Sequence, residues 1–89
     1  MILQFDESFE KSIKKLKDQK IKARLIKLIE DFENVDSLAD IQKIKKMQGF
    51  QTFYRVRLGD YRVGFELQQD NSILFILVAH RKEIYKYFP

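Results

Sequence analysis

Arg55, Arg57 and Arg62 flank the dipeptide Gly59-Asp60 inside an alternating stretch, residues 53 to 66, and their spacing gathers three guanidinium groups on one surface. Apolar and polar residues alternating about Gly-Asp are the sequence mark of a two-residue β-hairpin. With Leu58 opposite Tyr61, Arg57 meets Arg62, Val56 meets Val63, Arg55 meets Gly64 and Tyr54 meets Phe65. One face is then a core of Tyr54, Val56, Leu58, Tyr61, Val63 and Phe65. The other carries the three arginines beside Gly64 and Glu66. Like charges directly opposite each other destabilise a sheet, so the cluster calls for an anion. Guanidinium is a planar fork of donors whose charge does not titrate away, which matches phosphate. The plain alternative is a solvated edge hairpin with incidental charge.

The rest of the chain narrows the chemistry. With one histidine and no cysteine, the usual zinc ligand sets are missing, and no metal or cofactor is expected. Gly49, Gly59 and Gly64 form neither a dinucleotide fingerprint nor a phosphate loop. Glu30, Asp31 and Glu33 close a helix and read as a solvated terminus. RNA cleavage needs no metal when the 2'-hydroxyl attacks the adjacent phosphate. It needs charge stabilisation, a base and an acid. The arginine face supplies the first, and Glu66, His80 and Tyr85, with Lys46, are candidates for the other two. Each has a plainer role available: Glu66 neutralising Arg55 or Arg57, His80 as a strand-end residue bonded to backbone, Tyr85 as packing.

The 89 residues carry a net charge of +4, and the sequence is expected to form a single domain, residues 1 to 89. Residues 35 to 89 hold nine bases, six acids and four of the five arginines, so an anion site belongs there. The longest apolar run, Ile73 to Ala79, is seven residues, far short of a bilayer span. No signal peptide is indicated at the N-terminus, and the cytoplasm is the expected location.

The elements that must position the arginines follow from periodicity. Ile2 to Phe5 reads as a strand, Asp6 as the cap of a helix carrying Phe9, Ile13 and Leu16, and Asp18 as the cap of a second helix carrying Ile21, Leu25, Leu28, Ile29 and Phe32. Asn34 closes that helix. Val35 to Asp40 is a polar connection with room for one helical turn, and Ile41 to Gly49 is a basic approach to the sheet. Ser72 to His80 reads as a central strand covered on both faces. Ile84 and Phe88, four apart in a short C-terminal helix, pack inward, and Arg81 and Tyr85 share another face. The expected fold is α+β: an N-terminal strand, a helical hairpin, then a three-stranded, mostly antiparallel sheet with a short C-terminal helix. The helical pair covers the core face, and the arginine face stays uncovered.

Three segments in order, Lys46-Met47-Gln48-Gly49, Tyr54 to Arg62, and Val78 to Tyr85, resemble the RelE branch of the RelE/ParE toxin superfamily. The resemblance implies the toxin of a type II toxin-antitoxin system: a ribosome-dependent, metal-independent mRNA endonuclease that cuts in the A site and inhibits translation. It implies a catalytic set of Arg55, Arg57, Arg62, Arg81 and Tyr85, in which the bases grip the scissile phosphate and the tyrosine orients or stacks on a base. Lys43, Lys45, Lys46 and Lys82 are expected to bind RNA. The best-known pattern has lysines at the positions of Arg55 and Arg57, and arginine is a poor proton acceptor. That moves proton transfer to His80 or Glu66. Expected partners are an acidic cognate antitoxin encoded nearby, the ribosome and mRNA, with operator DNA reached through the antitoxin and no membrane. Two other readings fit the same fold, a ParE-like inhibitor of DNA gyrase and a degenerate protein that only binds its antitoxin.

Overall fold

The computed structural model describes residues 1–88. At its centre β3 (Phe53–Leu58) and β4 (Tyr61–Leu67) pair antiparallel in the register read from the sequence, Leu58 opposite Tyr61 through Tyr54 opposite Phe65. Gly59 sits at φ +60°, the left-handed backbone that a tight hairpin turn requires and that a side chain disfavours. Around this hairpin runs one five-stranded sheet in the order β1-β5-β4-β3-β2, with β1 at Leu3–Phe5, β2 at Ile44–Lys46 and β5 at Ile73–His80. Strand β1 is parallel to β5, and the other pairs are antiparallel.

Strand β2 corrects the sequence reading, which has only three strands after the helices. Ile44 pairs with Val56, Lys45 with Arg55 and Lys46 with Tyr54. Three residues, two of them lysine, carry no alternation of their own; the edge of β3 makes them a strand.

Helix α1 (Glu7–Lys15) is capped by Asp6, whose carboxylate accepts from the Ser8 amide, and α2 (Gln19–Asn34) by Asp18, which accepts from Lys20 and Ile21. A 3-10 turn at Leu38–Asp40 occupies the connection that had room for one, and α3 is a single turn, Ile84–Tyr87. Helices α1 and α2 cover one face of the sheet. There Phe9, Phe32, Phe65 and Phe75 are fully buried. Phe32 meets Phe65 and Phe75 edge-on with centroids 5.2 and 5.1 Å apart, a preferred geometry for ring quadrupoles. Val56, Val63 and Leu25 join this core, with Tyr54, Ile13 and Ile29 against it, as the hairpin pattern predicts.

Beyond β1 the outer edge of β5 would be left with free backbone groups. Two serines of α1 reach it: the Ser8 hydroxyl shares its one proton between the Ile76 carbonyl and the Asp6 carboxylate, and the Ser12 hydroxyl accepts from the Val78 amide at 3.1 Å. Among the described residues, no helix is long and apolar enough to cross a membrane.

Candidate nucleic-acid interface

Residues paired across a sheet share a face, so the register fixes which side chains meet. One row on the face away from α1 and α2 is Lys45, Arg55, Gly64 and Leu77; the next is Arg57, Arg62 and Ala79. Four cationic side chains from β2, β3 and β4 therefore stand side by side. Arg62 is the most fixed of them, its Nη1 donating to the carbonyls of Gly59 at 2.9 Å and Tyr61 at 2.8 Å. Arg57 is exposed and borders a groove of about 710 Å³ between α2 and β3, which Arg24, Lys27 and Lys43 also line. Arg55 is half-buried, with its guanidinium carbon 4.9 Å from the centre of the Tyr85 ring. Such stacking is favourable and leaves the in-plane donors of Arg55 free.

The face is not open, which corrects the expectation that the helices leave it uncovered. Helix α3 and Phe88 lie across it. Ile84 is fully buried and Phe88 is 6% exposed, while Tyr85 between them is 71% exposed. The Phe88 ring rests on Gly64, so close that a Cβ there would come within 2.7 Å of three ring atoms, and it meets Phe53 edge-on at 5.8 Å. What remains is a shelf of guanidinium groups bounded by the β2 edge on one side and Tyr85 on the other.

Arg81 stands at the end of β5, its amide donating to the Asp60 carbonyl at 2.8 Å and its Nε 4.0 Å from the Asp60 carboxylate. The hairpin turn thus carries Arg62 and Arg81 together. Lys45 lies in the arginine row, whereas Lys46 pairs with Tyr54 and so belongs to the opposite face. Lys43 adopts φ +67° at the sheet edge, its carbonyl accepting from the Arg57 amide. Lys82 is exposed in the turn after β5.

Three of the proton-transfer candidates stand apart from the arginines: Lys46 on the opposite face, His80 and Glu66. His80 pairs with Tyr61 on the helix-covered side, packs edge-on against that ring at 5.4 Å and accepts from the Lys82 amide through Nδ1 at 3.2 Å. The expectation that it lies beside the arginines is corrected: it is a strand-end histidine bonded to backbone. Glu66 is on the arginine face but beyond Phe88, which stands over Gly64 between it and Arg62 along β4. Its carboxylate accepts from Thr52 Oγ1 at 3.0 Å and Gln68 Nε2 at 2.8 Å, and no arginine pairs with it among the described residues. Two features escaped the sequence reading, the Phe88 cover and the Arg24 side chain, whose Nη1 would lie 2.9 Å from a Cβ at Gly59 in the turn. A glycine at a polar-face position of a strand signals the first, since such glycines mark close approach by another group.

A family model described as ParE toxin of type II toxin-antitoxin system, parDE, matches residues 3–85. Over 43 residues the chain is 49% identical to Toxin RelE3 of Methanocaldococcus jannaschii, a match spanning about half of each protein, 48% of this chain and 48% of that one. The fold superposes on the RelB-RelE antitoxin-toxin complex from Methanococcus jannaschii with a TM-score of 0.82, at 40% identity over 97% of this chain and 99% of that one. It also resembles a double arginine-to-alanine mutant of E. coli toxin RelE in the free state, with a TM-score of 0.66 and 25% identity over 96% and 90% of the two chains.

Proposed function

This chain belongs to the ParE toxin family of type II toxin-antitoxin systems and is RelE-like within it, and we propose that it is a ribosome-dependent endoribonuclease that cuts mRNA in the A site without a metal. The observation that carries the reading is the placement of Arg55, Arg57 and Arg62 on one sheet face by the hairpin register, with the Arg55 guanidinium carbon 4.9 Å from the centre of the Tyr85 ring. In the reaction the substrate's 2'-oxygen bonds to phosphorus and the bond from phosphorus to the 5'-oxygen breaks. The 2'-hydroxyl proton leaves to a base, and a proton reaches the departing 5'-oxygen. Guanidinium groups held before the reaction stabilise the charge that gathers on the phosphorane oxygens, the term usually worth most in such sites.

Arg62, already oriented by the Gly59 and Tyr61 carbonyls, and Arg55, held under Tyr85, grip the scissile phosphate; Arg57 and Arg81 extend the positive field along the strand. Tyr85, exposed at the shelf's rim, stacks on an unpaired base, as aromatics do with single-stranded RNA. Proton transfer belongs to the titratable groups of the Arg55 row, Lys45 and Tyr85, because His80 faces away and Glu66 lies beyond Phe88. Lys43 and Lys82 add long-range attraction to the ribosome.

The relative of known structure from Methanococcus jannaschii is a complex with RelB, which supports a cognate antitoxin here. An acidic segment of that partner covers the shelf and quenches its charge, and operator DNA is bound through the antitoxin. Antitoxin and ribosome binding both weaken with salt. The family description names ParE, so a gyrase-directed poison is the second reading. Expressing wild type and Arg62→Ala in bacteria and mapping mRNA 5' ends separates the two. New ends in translated messages, absent with Arg62→Ala, support cleavage; growth arrest with DNA-damage induction and intact messages overturns it.

A further inference from the structure

A single turn of helix does not hold its own shape in water, yet α3 carries the residue that completes the shelf. Among the described residues its Glu83 cap makes no side-chain capping hydrogen bond, and the ion pair of Lys86 with Glu83 at 3.4 Å is exposed and of little weight. What fixes it is the buried pair Ile84 and Phe88, tied by the Phe88 amide donating to the Ile84 carbonyl at 3.0 Å. Phe88 has a seat only because residue 64 lacks a side chain, and its ring is braced there by Phe53. Tyr85, three residues back on the turn so anchored, comes to lie over Arg55.

From this arrangement we infer that Phe88 is a positioning residue: its ring, keyed into Gly64, holds Tyr85 over Arg55 and so sets the geometry of the phosphate-gripping shelf. The inference rests on the nuclease reading of the same face. It does not require Phe88 to touch substrate. Phe88 acts at a distance, through a tail whose register on the sheet is set by the absence of one methyl group at position 64.

The test is Gly64→Ala, which removes no functional group and displaces the ring from below, alongside Phe88→Ala and Phe88→Leu. Stacking is read by NMR as the ring-current shift that Tyr85 imposes on the Arg55 side chain, with core methyl signals reporting the fold. Cleavage is read as kcat and KM on programmed ribosomes. Gly64→Ala and Phe88→Ala lose the shift and drop kcat roughly 10- to 100-fold, the scale of a misplacement of about 1 Å. Phe88→Leu, which keeps an apolar anchor, recovers part of both. Adding Tyr85→Ala to Gly64→Ala costs far less than Tyr85→Ala alone, because the two act as a unit. Retention of the shift in Gly64→Ala, an unchanged kcat despite its loss, or effects that multiply each overturn the inference. Should Gly64→Ala disturb the core methyls, Phe88→Ala decides, since it places no new atom in the sheet. If the wild type cuts no RNA, the nuclease reading fails by itself. The ring-current comparison then decides whether Phe88 holds Tyr85.

Discussion

The two faces of the sheet grow from the same alternating strands but are closed by different means. On one, Phe9, Phe32, Phe65 and Phe75 lock into a continuous aromatic core under two capped helices. On the other, one ring just past a one-turn helix covers the middle and leaves cations and a tyrosine at the rim. Burial on the first face carries stability, and incomplete burial on the second leaves charge available for a ligand. A hairpin can serve both purposes because alternate side chains point to opposite sides.

If stability is divided this way, Phe65→Ala costs about 3–5 kcal/mol in denaturant unfolding, and Arg57→Ala, exposed on the other face, stays within roughly 0.5 kcal/mol of wild type. Comparable costs for both would erase the distinction. Next in size, Arg62→Ala lowers kcat on programmed ribosomes about 100-fold, as removal of one preorganised donor does elsewhere. It costs only about 1 kcal/mol of stability through its two lost carbonyl contacts. A purely structural arginine would show the reverse pattern. His80→Ala and Glu66→Gln sharpen the contrast further: each leaves kcat/KM near wild type, whereas loss of a true general base costs roughly 100-fold or more.

The smallest effect concerns turns and caps. The Ser8 hydroxyl and amide hold the Asp6 carboxyl below the usual aspartate range, and the Ser72 hydroxyl and amide do the same for Asp70. A lowered folded-state pKa gives stability that is present above the ordinary aspartate value and lost as pH falls through the folded one. Asp6→Ala therefore melts slightly below wild type at pH 7, and the two melting temperatures converge in acid once the carboxyl is protonated. A gap that persists in strong acid would assign the cap's role to something other than the carboxylate.

The hairpin register, both helix caps and the inward packing of Ile84 and Phe88 were legible because each is local, set by alternation, by an aspartate ahead of an amphipathic run, or by a step of four. What escaped needs two distant segments at once. Phe88 and Gly64 are 24 positions apart in sequence, and nothing near either one announces the other. His80 was misplaced for a countable reason. Gly64 opposes Leu77 while Phe65 opposes Phe75, so Ile76 is an extra residue, a bulge that reverses the facing of everything after it. Without it, His80 would stand with the arginines. With it, Val78 enters the core and His80 follows to the helix side.

The central claim is that guanidinium groups on the second face act together on one phosphodiester. Ribosomes programmed with a defined message, incubated with the free protein and analysed for mRNA 5' ends, test it most directly. Wild type is expected to cut within the A-site codon, and the rate of cutting to fall about 100-fold with Arg62→Ala or Arg55→Ala. An intact message, or a cut that both variants still make at the wild-type rate, would contradict it.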